Sequence, residues 1–335
     1  MKITPSNPGL VMEQNLAFVT ARSLHTAVEL ELFTHLSKNP MTAKAISKCV
    51  DADPNSLEKL LNVLVLVGLL ERENDNFNNS HTAEAFLIKG KPGYMGPLIE
   101  QGRRIWQCYD QLTEVIRTGQ PAEESKAATK ACMANNPEAA RTFTYAMHGI
   151  ATGVAKQLVE AVDLSGRRSL LDVGGGAGTH SISFVKANPQ LQATVLDLPN
   201  VIKVADEIIS TNNLSDKIQT QAGDWNQLPF GTQHDVILMS QVLHIEKPEG
   251  ALELLQKAYS ALPNGGQLIT MHFLMNPEKS GPWFPVVFNL NMLVELGTQG
   301  FSTSEIQRLL RQIGFKSIKV IPLRGPQTVI SAVKP

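Results

Sequence analysis

The spacing of apolar residues changes twice along the chain. Between Leu16 and Leu36 they recur at helical intervals (Leu16, Val19, Leu24, Ala27, Val28, Leu32), which predicts one helix. Pro40-Met41-Thr42 caps a second, Ala43–Cys49, and Asp53-Pro54-Asn55 starts a third over Ser56–Val67, stopped by Gly68. Two short strands follow, Leu69–Arg72 and Asn76–Asn79, around the polar turn Glu73-Asn74-Asp75. Three helices and a hairpin make a winged-helix pattern over residues 1–90. Residues 91–165 keep the helical period. Leu98–Thr118 is amphipathic and carries Trp106 and Tyr109, and Gly119-Gln120-Pro121 breaks it. A further helix starts after Asn135-Asn136-Pro137 and runs through Phe143, Met147 and Val154 towards Val162.

From Ser169 onward short apolar runs alternate with amphipathic stretches. Strands are predicted at Leu170–Val173, Ala193–Leu196, Ile218–Gln221, Asp235–Met239 and Gln267–Met271, with helices at Thr179–Ala187, Val201–Thr211 and Pro248–Ala261. That alternation specifies a parallel sheet with right-handed crossovers. The end differs. Lys316–Leu323 and Thr328–Val333 are joined only by Arg324-Gly325-Pro326-Gln327, too short for a crossover helix, so the last strand returns antiparallel. The expected organisation is a winged-helix-like N-terminal domain (1–90), a helical linker (91–165) and an α/β domain (166–335).

Composition narrows this little. A chain of 335 residues with 43% hydrophobic content supports two cores, and a net charge of −1 points to no polyanionic partner. The helix that would enter DNA in a winged-helix module, Ser56–Asn62, carries one Lys against one Glu, so packing or self-association is its expected role and not nucleic-acid binding. Three cysteines without metal-type spacing suit a reducing cytoplasm. The first ten residues lack a signal-peptide pattern, and the longest apolar run, Val63–Leu70, is too short to span a bilayer. A soluble cytoplasmic protein with no membrane association is expected.

The candidate chemistry begins at Ser169–Ser181, where a strand runs into glycines before a helix. The spacing is Asp172, Gly174, Gly176, Gly178, and Thr179 stands where a dinucleotide fingerprint wants its last glycine. Glycines at such a turn admit a cofactor close to the backbone. A carboxylate at the strand end suits a cationic amino acid group, so the loop reads as a seat for S-adenosyl-L-methionine (SAM). Asp197-Leu198, ending the second strand, suits a ribose diol. Gly223-Asp224-Trp225 after the third suits adenine, the Asp accepting from its amino group and the indole packing on the base. Met239-Ser240 ends the fourth strand opposite the glycine loop.

These segments, with Leu196-Asp197-Leu198-Pro199, Val242-Leu243-His244, Asn291-Met292-Leu293-Val294 and Gly314-Phe315, resemble the plant caffeate/acetylserotonin-type O-methyltransferase family and its bacterial small-molecule relatives. The resemblance covers nearly the whole chain. It implies a class I methyltransferase fold behind an N-terminal dimerisation domain, a homodimer, SAM as cofactor, and a small-molecule substrate between the two domains. It places the catalytic base at His244, and Phe143 and Met147 along the cofactor. Trp106, Trp283, Phe284, Phe288, Asn289, Asn291 and Met292 are candidates for the substrate wall, whose apolar character suits an aromatic or lipophilic acceptor.

The residues around His244 depart from the family. Ile245-Glu246 replaces the usual Asp-Trp or Asn-Trp, His272 stands where an orienting glutamate is expected, and Gly300 falls near the place of a second. Glu295 and Glu246 are candidate replacements. Transfer to a hydroxyl needs a base, and neutral imidazole supplies one near pH 7. His244 and His272 together would share a proton, hydrogen-bond a substrate, or bind a metal with a carboxylate such as Glu295. O-methylation of a secondary metabolite is the leading reading. C-methylation of an enolisable, polyketide or tetrapyrrole substrate is the alternative. A nicotinamide oxidoreductase and a non-catalytic SAM-binding or winged-helix regulator remain from other classes.

Overall fold

The computed structural model describes residues 7–91, 93–123, 125 and 130–335. The chain forms two compact units, Met1–Trp106 and Gln107–Pro335.

In the first unit, α1 (Pro8–Glu29) starts at Asn7, whose side chain accepts from the Gly9 and Leu10 amides. The helix expected to run to Leu36 stops early. Glu31 adopts φ 52°, and a separate α2 (Leu32–Leu36) follows. A non-glycine residue in the left-handed region ends a helix whatever its apolar spacing. Then come β1 (Met41–Thr42), α3 (Ala43–Cys49), α4 (Pro54–Leu66), β2 (Leu70–Glu73), β3 (Asn76–Asn79) and α5 (His81–Phe86). The strands form a sheet in the order β1-β3-β2, so the expected wing is present and gains a strand. Leu32, Phe33, Ile46, Leu57, Leu61, Leu64, Leu70 and Phe77 make its core.

The helix expected over Leu98–Thr118 is two: α6 (Gly96–Tyr109) and α7 (Leu112–Thr118), interrupted at Asp110-Gln111. Short α8 (Lys130–Asn135) precedes α9 (Pro137–Ala161), which Asn136 caps through the Ala139 amide at 3.0 Å.

The second unit is built on a seven-stranded sheet. Its strands are β4 (Ser169–Val173), β5 (Gln192–Asp197), β6 (Ile218–Ala222), β7 (Val236–Ser240), β8 (Gln267–His272), β9 (Lys316–Pro322) and β10 (Thr328–Val333). They lie in the order β6-β5-β4-β7-β8-β10-β9. The first five are parallel, and β10 runs antiparallel to both β8 and β9, as the short final link required. Side chains alternate between two cores. Leu170, Val236, Leu238 and Ile269 face α9, α10 (Thr179–Ala187) and α11 (Pro199–Thr211). Leu171, Val173, Ile237, Met239 and Ile330 face α12 (Pro248–Ala261) and α14 (Thr303–Ile313). Helices on both faces bury both sides of the parallel strands. Ligands of such sheets bind beyond the C-terminal strand ends, and α13 (Trp283–Leu296) follows β8 there.

Candidate active site

The glycine loop leaves β4 at Gly174, whose N–H donates to the Leu196 carbonyl at 2.8 Å. Gly174 has φ +65°, and a Cβ built on it would lie 2.6 Å from Val242 Cγ2 and 3.3 Å from the Trp225 ring. Only glycine fits so close a crossing of two strand ends. Above Gly176, by contrast, an added Cβ would meet nothing within 4 Å. The Asp197 carboxylate accepts from the Gly176 amide at 2.8 Å and from the Leu198 amide at 2.7 Å, so the end of β5 holds the loop in shape. Asp172 lies beneath the loop and is fully buried, accepting from Ser181 Oγ at 2.7 Å. Burial, reinforced by the Asp197 charge, pushes its carboxyl up to about 7 despite the Ser181 hydrogen bond. Asp172 thus underpins the turn from inside, at the strand end where the sequence placed a carboxylate for a cation.

Asp224 turns back on its own chain, accepting from the Asn226 amide at 2.8 Å. Trp225 is buried, and its indole N–H donates to Glu246 at 2.9 Å. Its ring supports Gly174 from the core side. That same bond, with one from Asn226 Nδ2 at 2.9 Å, engages Glu246, the first candidate carboxylate for His244. Glu295, the second, is buried on α13 and raises the titration of the neighbouring Tyr109 hydroxyl, an effect second to the burial of that hydroxyl. Glu246, Glu295, Asp224, Ile245 and Gln120 help line a cavity of about 600 Å³.

Phe143 and Met147 lie half-buried on α9. One residue on, His148 Nδ1 meets Thr179 Oγ1 at 2.8 Å, joining that helix to the first residue of α10. Met239 is buried in the sheet core and Ser240 ends β7 half-exposed. Gly223 follows β6 directly, its N–H donating to the Asp197 carbonyl at 2.8 Å.

His244 sits in a single 3-10 turn, Leu243–Ile245, just past β7. Thr298 Oγ1 donates to its carbonyl at 2.7 Å, tying the turn to the end of α13. Nothing in the local sequence signals that bond, because its partners are 54 positions apart. The His244 ring is edge-on to Phe288, with centroids 4.9 Å apart, and to His272 at 6.1 Å. Burial alone pushes His244 down to about 4, so it is a neutral imidazole at pH 7. Burial, and then the His244 ring, push His272 well below the ordinary histidine range. Phe284, Phe288, Asn291, Met292 and Glu295 recur at helical spacing on one face of α13, whereas Trp283 is 76% exposed. Asn291 accepts from the Tyr109 hydroxyl. Asn289 accepts from the Gly300 amide at 2.7 Å. Trp106 belongs to the first unit, where its ring meets His25 edge-on at 5.9 Å. Among the described residues no group of three or more His, Cys, Asp or Glu side chains is placed to hold a metal ion.

The loop fits the adenosyl cofactor that its spacing suggested. Gly176 opens onto free space, and the Gly176 and Leu198 amides hold the Asp197 carboxylate at the end of β5, the residue type and place that suit a ribose diol.

Comparison with known proteins agrees. The O-methyltransferase domain matches residues 109–316 and the O-methyltransferase dimerisation domain residues 12–89. The chain is 29% identical to the 3-hydroxy-5-methyl-1-naphthoate 3-O-methyltransferase of Streptomyces sahachiroi, over 98% of this chain and 95% of that one. It is also 29% identical to the tetracenomycin polyketide synthesis 8-O-methyl transferase TcmO of Streptomyces glaucescens, over 98% and 97%. Among solved structures, PigF with SAH superposes at a TM-score of 0.87 with 26% identity, covering 98% of this chain and all of that one. Two domain matches in the expected order, together with the sheet and its glycine loop, place the chain in the O-methyltransferase family, as a SAM-dependent methyltransferase of the class I fold.

Proposed function

We propose that the enzyme methylates a hydroxyl of a small aromatic secondary metabolite, with His244 as general base. The observation that carries this is a buried, neutral imidazole at the end of β7, edge-on to Phe288 and beside the glycine-loop strand. SAM supplies an electrophilic methyl on a sulfonium. Gly174, Gly176, Gly178, Asp197 and Leu198 would hold it, with Asp172 and Trp225 supporting the loop from below. Gly223, Asp224, Met239, Ser240, Phe143 and Met147 would complete its walls. Phe288, Asn291 and Met292 would present the acceptor, and a His244 ring nitrogen would take the hydroxyl proton as oxygen gains the methyl. Relatives named for transfer to naphthoate and polyketide hydroxyls favour oxygen and an aromatic acceptor.

Product analysis with carbon-13-methyl SAM tests the reaction: a methyl ether is expected, and a carbon-bound methyl overturns the reading. His244→Ala should lower kcat by about 10²–10⁴-fold while SAH affinity stays unchanged. Retained turnover would remove His244 as the base.

The dimerisation domain points to a homodimer, assembled through α1, where Leu10, Val11, Met12, Leu16 and Phe18 are exposed around the helix. No helix of the described residues is long and apolar enough to cross a membrane. The absence of disulfides among the described residues suits the cytoplasm.

A further inference from the structure

Four buried polar atoms near the C-terminal ends of β7 and β8 have no hydrogen-bond partner among the described residues: Nδ1 and Nε2 of His272, Oγ1 of Thr270 two residues before it, and Oε1 of Gln241. The backbone sets these residues side by side. Ser240 pairs with Met271 in the sheet, and the Gln241 N–H donates to the Met271 carbonyl at 2.9 Å. His272 is only 2% exposed. A neutral imidazole carries one N–H donor and one acceptor nitrogen, and leaving both unmade inside a protein costs free energy that a partner recovers.

His244 is not that partner. The two rings stand edge-on at 84°, with centroids 6.1 Å apart, and neither His272 nitrogen bonds its neighbour. His272 therefore does not orient His244 as a carboxylate at this strand end would. Beside the pair lie Phe288 and Phe273, stacked edge-on to each other at 4.7 Å, which offer a polar group nothing. The hydrogen-bonding capacity of His272 is left for a molecule that enters beside His244.

We propose that His272 hydrogen-bonds a second oxygen of the acceptor, next to the hydroxyl that meets His244, so that the preferred substrates are catechols or phenols with an ortho or peri carbonyl. This rests on the reading of His244 as the base. A buried imidazole resists becoming a cation, so the site has no positive charge for a carboxylate at that point, and the second oxygen is a carbonyl or a hydroxyl.

Matched acceptors test it: catechol against phenol, and 1-hydroxyanthraquinone against 1-naphthol. Each pair is assayed for kcat/KM with SAM and for Kd on the SAH-loaded protein by calorimetry. The wild type is expected to favour the dioxygenated member of a pair at least tenfold. His272→Phe should narrow the ratio about fivefold or more, and His272→Gln, which keeps a donor and an acceptor, should narrow it less. Equal values within both pairs, no binding of any member, or a His272→Phe loss shared equally by both members would overturn the proposal. The wild-type ratios decide it even if neither variant folds. The Kd ratio measured on His244→Ala separates the two readings. A preference that survives there supports His272 whether or not His244 proves to be the base, and a preference that vanishes there overturns the assignment to His272.

Discussion

At the scale of single residues, the site depends on what is missing from Gly174 as much as on what His244 carries. Gly174→Ala would put a methyl 2.6 Å from Val242 Cγ2, at a backbone φ of +65°. Val242 is buried and β-branched, so its χ1 has little freedom to yield. The left-handed conformation adds about 1–2 kcal/mol for any residue with a Cβ. SAH affinity measured by calorimetry should fall at least tenfold in Gly174→Ala. Gly176→Ala pays the backbone cost at φ +57° but meets no neighbour, so a smaller drop in Tm is expected there. Equal Tm losses in the two variants would show that the crowding at Val242 does not matter. The positions of Gly174 and Asp197 were legible because turn glycines and strand-end carboxylates have fixed places in a parallel sheet. The contacts of Trp225 and Glu246 were not. Their mutual bond joins the ends of two strands, and no local period records it.

At the scale of elements, the sheet was the most legible part. Leu170 and Leu171 point to opposite cores, as do Leu238 and Met239, and alternation under two helical layers leaves one workable topology. Helix breaks were less visible. The apolar period continues through Leu30-Glu31 and Asp110-Gln111 without glycine or proline to mark either interruption, and tertiary packing decides them. The exposed apolar residues of α1 show the opposite case, apolar side chains with no core beneath them. Leu16 and Phe18 are 48% and 56% exposed on a helix whose buried residues are Ser23 and Ala27. Light scattering of the full chain should report a dimer. The double variant Leu16→Glu/Phe18→Glu should report a monomer with its helical circular dichroism retained, since neither side chain belongs to the unit's core. A dimer that survives both charges would move the interface elsewhere.

At the scale of the whole molecule, burying titratable groups around one cofactor loop and one strand end couples stability to pH. His180 and His244 are both pushed down to about 4 by burial, and His272 lies lower than its ordinary value for the same reason with His244 added. In the unfolded chain these imidazoles bind protons near pH 6.5, while the native state keeps His180 and His244 neutral down to about pH 4 and His272 neutral well below its ordinary range. Their stabilisation is therefore complete above 6.5 and is lost as the pH falls through that window. Asp172 opposes them. Its native carboxyl keeps a proton up to about 7, whereas the unfolded one releases it near 3.8. Its contribution is present at low pH and disappears as pH rises. The histidines outweigh the one carboxyl, so the unfolded chain holds more protons than the native one at pH 5, and stability should fall as the pH is lowered. Urea midpoints between pH 4.5 and 6.5 measure this. Asp172→Asn removes the opposing group and should steepen the decline, and a flat profile in both proteins would mean that these histidines reach solvent. The same burial governs activity. Because His244 is already neutral well below pH 6, the step in kcat/KM that a titrating His244 would give near 6.5 should be missing from Asp172→Asn, and activity lost there on the acid side should follow unfolding.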